Sequence, residues 1–152
     1  MDKKVIVITG PIGSGKSTAL SIINKLGYKT VDLDEISENI LTSDESKEFL
    51  LESFPTSIVN NEVSKELIAK IVFKDKLELQ KLENYLHPKI LNKLNEIIKL
   101  NYGLTFVEVS APKKLHNDFK TIVIWAPEEE RIERLKIRGM EIADIKNRIN
   151  SQ

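Results

Sequence analysis

Gly10-Pro11-Ile12-Gly13-Ser14-Gly15-Lys16-Ser17 satisfies the pattern G-x-x-x-x-G-K-[ST] at every fixed position. Each residue type has a physical reason. Glycines let the backbone curl so that successive N–H groups point inward around an anion. Lys16 adds a mobile positive charge for the β- and γ-phosphates, and a helix beginning there presents the positive end of its dipole. Ser17 brings a hydroxyl for a magnesium ion. The plain alternative is a glycine-rich turn, so the flanking sequence decides. Lys4 to Thr9, KVIVIT, is a continuous β-branched apolar run, as in a fully buried parallel strand. From Lys16 to Leu26 the apolar residues Ala19, Leu20, Ile22, Ile23 and Leu26 recur at helical spacing, and Gly27 stops them. Strand, loop, helix is the context the pattern requires. Gly10 to Ser17, with Thr18, is therefore the expected nucleoside-triphosphate site, and Ser17 its metal ligand.

Working outward, Thr30-Val-Asp-Leu33 reads as a second strand followed by a helix from about Asp34, which opens a βαβ unit. Helical spacing is predicted for Val63 to Phe73 and for Leu77 to Leu86, the latter with Asp75 and Glu78 as a capping box. His87-Pro88 is expected to break the chain, Pro88 opening a further helix to about Leu100. Leu104 to Val109 and Thr121 to Trp125 read as two more buried strands. A helix between Ala126 and Gly139 starts at Pro127 with Glu128 to Glu130 in its first turn, and a last helix runs from about Ile142. The alternation predicts one three-layer α/β/α domain over residues 1–152 with a mostly parallel sheet.

Composition narrows the function. Lys plus Arg and Asp plus Glu balance at 23 each, so no bulk charge draws the chain to nucleic acid or membrane. Any anion must be held by a local arrangement. There is no cysteine, which excludes disulfides and thiolate metal sites. The apolar run Val5 to Ile8 is too short to span a membrane. The expectation is a cytoplasmic protein acting on a small molecule.

Several residues outside the loop are candidates. Asp32 and Asp34 stand at the carboxyl end of the second strand, the edge that faces ligands in parallel sheets. A carboxylate there can take the proton of an acceptor hydroxyl; Asp34 equally suits an N-cap, and the roles are compatible. Arg131, Arg134 and Arg138 share one helical face, either a phosphate clamp or a solvated face paired with glutamates. Ile132 and Leu135 are expected to face the core. Glu108 ends the third strand and suits either a water-mediated magnesium contact or a plain edge carboxylate. His87 alone reads as a capping or packing residue, His116 as surface and Trp125 as core.

The ordered set resembles the dephospho-coenzyme A kinase family along nearly the whole chain. The resemblance rests on Thr9 to Thr18, on Val31-Asp-Leu-Asp-Glu-Ile36, and on Ile71-Val-Phe73 with Leu82-Glu83 and His87-Pro-Lys-Ile90. It continues in Ala126-Pro-Glu-Glu-Glu-Arg-Ile-Glu-Arg-Leu135, Arg138 and Arg148-Ile-Asn-Ser-Gln152. Pro11 stands where the family usually has glycine, and the family's P-L-L-F-E segment is not recognisable in Val107 to Leu115. The resemblance implies a P-loop kinase fold with a helical acceptor-side insertion at about residues 35–102. It implies transfer of the γ-phosphoryl of ATP, with Mg2+, to the ribose 3′-hydroxyl of dephospho-coenzyme A. Asp34, Lys16 and Arg138 would be catalytic, Arg134 would bind the nucleotide, and Asp34 and His87 would bind the acceptor. A monomer or weak homo-oligomer is expected. Two alternatives stay open: a kinase for another nucleoside or nucleotide, and an ATP-binding module without catalysis. A switch GTPase would need an N-K-x-D that the sequence lacks.

Overall fold

The computed structural model describes residues 5–110 and 119–150. The chain divides into two units. One holds residues 1–32 and 98–152, the other Leu33–Ile97.

The first unit is built on a parallel sheet. β1 (Val5–Thr9) is followed by α1 (Lys16–Lys25) and β2 (Lys29–Asp32). After the second unit come β5 (Thr105–Glu108), β6 (Lys120–Val123), α6 (Glu128–Ile137) and α7 (Ile142–Asn150). The strand order is β2-β5-β1-β6, with all three pairings parallel. β1 is central and its Val5, Val7 and Ile8 are buried, as its β-branched run implies. Val31, Val107 and Val109 are buried as well, as are Leu20 of α1, Leu135 of α6 and Ile145 of α7. The ladder continues past the strand ends: Val109 N donates to the Ile8 carbonyl at 2.9 Å and Ile124 N to the Thr9 carbonyl at 2.7 Å. The Thr9 hydroxyl donates to the Val109 carbonyl at 2.8 Å. Those bonds fix the end of β1, where the glycine-rich loop begins.

β6 corrects an expectation. An apolar run does not tell a central strand from an edge one, and β6 lies at the sheet edge among the described residues. Its Ile122 and Val123 are exposed, and Trp125, expected in the core, is 70% exposed. His116 lies outside the described residues.

The second unit is helical: α2 (Leu33–Leu41), α3 (Asp44–Ser53), α4 (Lys65–Val72) and α5 (Lys76–Leu100), whose last turn belongs to the first unit. Ile36, Leu50, Phe54, Ile68, Val72, Leu82 and Leu86 are buried in it. Ser46, fully buried, donates to the Ile40 carbonyl and accepts from the Tyr85 hydroxyl at 3.0 Å. The Tyr85 ring stacks on Phe49 with centroids 3.8 Å apart. A hairpin unforeseen in the sequence joins β3 (Ile58–Val59) to β4 (Glu62–Val63). Its turn places Asn60 and Asn61 at φ 51° and 64°, which suits asparagine and a two-residue primed turn.

The expected break at His87-Pro88 is not there: α5 runs unbroken through Pro88. Proline inside a helix costs about 3 kcal/mol, by removing one hydrogen bond and crowding the previous turn. Leu82, Leu86, Ile90, Leu94 and Ile98 are all buried at intervals of four along this helix. Each such side chain contributes about 1.5–3 kcal/mol, so the continuous stripe outweighs the proline. Asp75 does cap the helix, accepting from Leu77 N at 2.8 Å, but Glu78 pairs with Lys81 instead of completing a capping box.

Candidate functional site

The loop between β1 and α1 is shaped by glycine where nothing else fits. Gly10 has φ +154°, and a Cβ there would meet the Ile124 carbonyl oxygen at 2.1 Å. Gly13 has φ +78°, and a Cβ there would stand 3.0 Å from the Arg131 carbonyl oxygen. Pro11 is tolerated because the loop uses its carbonyl, which accepts from Ser14 N at 3.1 Å. Gly15 is the N-cap of α1 in a left-handed conformation, without a side chain to block the helix end.

The side chains of the loop are drawn inward. Lys16 is 9% exposed and reaches back over the loop, its Nζ donating to the Gly10 carbonyl at 2.5 Å and to that of Pro11 at 3.4 Å. Ser14 is buried, and its hydroxyl has no partner among the described residues. A buried hydroxyl without a partner is costly, and such an atom in a glycine cradle is what an incoming acceptor oxygen would satisfy. Ser17 and Thr18 are exposed in the first turn of α1. The Ser17 hydroxyl donates to Glu108 Oε1 at 3.4 Å. Glu108 pairs in register with Asp32, so both carboxylates mark the carboxyl edge of the sheet beside α1. Among the described residues no group of three or more acidic or histidine side chains is placed to hold a metal ion.

From the other side the loop is gripped by α6. Arg131 Nη1 donates to the Ile12 carbonyl at 3.4 Å. Arg134 Nη1 donates to the carbonyls of Gly13 at 3.1 Å and Ser14 at 3.3 Å, and its Nη2 also meets Glu130 at 3.5 Å. The three arginines therefore do not act as one face. Arg131 is buried, Arg134 is exposed but lays its fork on the loop, and Arg138 is the exposed C-cap of α6. Leu135 is buried as expected, while Ile132 is only half-buried. The burial of Arg131 was missed, although a signal existed: it precedes Leu135 by one helical turn and so shares its inward side.

The remaining candidates lie in the helical unit. Asp34 is exposed in the first turn of α2, two residues past the last residue of β2. That position corrects the N-cap reading, because α2 begins at Leu33, ahead of Asp34, and a cap must precede its helix. Asp34 adds instead a negative charge near the positive helix end. His87 is exposed on α5.

The family model described as dephospho-CoA kinase matches residues 4–152. A dephospho-CoA kinase from Helicobacter pylori is 32% identical over 99% of this chain and 81% of its own length. Another from Thermus thermophilus is 32% identical over 89% of this chain and 68% of its own. A crystal structure of a Thermus thermophilus protein superposes with TM-score 0.93 at 30% identity, over 98% of this chain and 80% of that one. The dephospho-CoA kinase from Campylobacter jejuni gives TM-score 0.65 at 30% identity, over 99% and 81%. A shikimate kinase from Acinetobacter baumannii, 17% identical with TM-score 0.52 over 97% of this chain and 73% of its own, shares the fold alone. The sheet, the glycine loop and these likenesses agree: the fold is that of the P-loop kinases, and the chain belongs to the dephospho-CoA kinase family.

Proposed function

We propose that this protein is an ATP-dependent kinase that phosphorylates the ribose 3′-hydroxyl of dephospho-coenzyme A, the last step of coenzyme A synthesis. The observation that carries the reading is the loop Gly10 to Ser17, whose positive-φ glycines and buried Lys16 lie at the end of the central parallel strand, in a chain of this family.

The residues divide the work. The loop N–H groups and the N-terminus of α1 bind the phosphates, and Lys16 exchanges its loop carbonyls for the β- and γ-oxygens. Ser17 and Glu108 supply hydroxyl and carboxylate oxygens, the donors a hard cation prefers. Mg2+ bound with the triphosphate would neutralise charge between the β- and γ-phosphates. Asp34 accepts the proton of the acceptor hydroxyl while that oxygen bonds to the γ-phosphorus and the bridge to ADP breaks. Arg134 holds the nucleotide side, Arg138 offsets charge on the transferring group, and His87 lies on the acceptor side. Such transfers depend almost wholly on positioning and electrostatics.

The test is ATP turnover with and without dephospho-coenzyme A, beside a panel of nucleosides and nucleotides. Turnover dependent on dephospho-coenzyme A supports the reading. Preference for another acceptor replaces it, and ATP binding without transfer to any acceptor leaves a binding module.

A further inference from the structure

We propose that Arg131 is a positioning residue for the phosphate loop, holding the loop from beneath and lending its buried positive charge to the bound triphosphate. The proposal rests on the reading of Gly10 to Ser17 as the triphosphate site. Arg131 is 8% exposed, its Nη1 donates to the Ile12 carbonyl, and its Nε has no partner among the described residues. Its own backbone lies against the loop as well, since a Cβ at Gly13 would stand only 3.0 Å from the Arg131 carbonyl oxygen. A buried guanidinium with a neutral partner and an unsatisfied nitrogen is expensive to fold. A purely structural residue at this place would be better apolar, because replacing buried charge by packed hydrocarbon is often neutral or stabilising.

What the charge can do is visible in the geometry. Arg131 and Arg134 together engage the carbonyls of three successive residues, Ile12, Gly13 and Ser14. In a peptide unit the carbonyl and the following N–H point in opposite directions. Drawing those carbonyls toward α6 turns the N–H groups of Gly13 and Gly15 away from it, toward the anion site, while the Ser14 N–H stays on the Pro11 carbonyl. The guanidinium itself, desolvated below the loop, adds an attractive field that water does not screen. Arg131 thus lowers the reorganisation needed for phosphate binding and touches no reacting atom.

The experiment compares the parent with Arg131→Met and Arg131→Gln. It measures thermal stability without ligand, affinity for Mg·ATP by calorimetry, and affinity for dephospho-coenzyme A. For Arg131→Met the expected result is a melting temperature unchanged or raised, Mg·ATP affinity about tenfold weaker, and acceptor affinity unchanged. Arg131→Gln should show a smaller loss in the same direction. Parental Mg·ATP affinity in a folded variant overturns the proposal. So does a fall in stability with both affinities weakened together, which is the signature of a residue that only supports the fold. If Arg131→Met does not fold, Arg131→Gln decides; if neither folds, the role is structural and the proposal is lost. A parent that binds no Mg·ATP overturns the underlying reading too, which separates that failure from a parent that binds with variants that match it.

Discussion

Lys16 and Arg138 are cations of the same candidate site in opposite environments. Lys16 is buried by its own loop and donates to two of its neutral carbonyls, whereas a triphosphate offers oxygens with full charge. Lys16→Ala should therefore keep the fold but lose the rise in melting temperature that Mg·ATP gives the parent. An undiminished rise would show that the loop does not bind phosphate. Arg138 is exposed at the end of α6, where removal of a side chain usually changes stability by no more than about 0.5 kcal/mol. On the proposed reading its contribution is to the transition state. Arg138→Ala is expected to lower kcat more than it weakens Mg·ATP binding, and equal kcat in variant and parent would return Arg138 to a solvated surface residue.

At the scale of elements, what the sequence revealed followed periodicity, and what it hid followed tertiary context. β1, the loop and α1 were legible because a buried β-branched run, three glycines and a helical apolar pattern agree with one another. β6 was misplaced because the pattern of Thr121 to Trp125 contains no record of its neighbours. The N-cap role of Asp34 did not hold, since a cap and a carboxylate in the first turn look alike until the helix start is known. Arg131 was hidden because charge argued for solvent while its spacing to Leu135 argued for burial. In α5, a helix of 25 residues, local chemistry at Pro88 lost to the stripe of buried residues from Leu82 to Ile98. That contest is measurable. Pro88→Ala restores an N–H for the Asn84 carbonyl, so stability in urea should rise by about 1–3 kcal/mol. A fall would mean that the proline shapes the packing of Ile90 and Leu94, and that the helix is built around it.

Over the whole molecule, the candidate groups are divided between two units of the chain. The phosphate loop, Glu108 and the arginines of α6 belong to the sheet unit, whereas Asp34 and His87 belong to the helical one. If the first unit holds the donor and the second carries the base, the two functions separate experimentally. Mg·ATP at 100 times its Kd should stabilise the protein by about 2.7 kcal/mol and slow amide exchange in Gly10 to Ser17. Asp34→Asn keeps the size and the exposed setting of the side chain at the start of α2, so that stabilisation and that protection should be unchanged. The amide cannot take the acceptor proton, and transfer to dephospho-coenzyme A should fall by roughly 100-fold or more. Each alternative leaves its own mark. Transfer near the parental rate would mean that another group accepts the proton and that Asp34 only complements the dipole of α2. A parallel loss of Mg·ATP protection would mean that the carboxylate supports the nucleotide site instead. Retained binding with lost transfer is the combination that a proton-accepting role for Asp34, without a part in nucleotide binding, requires.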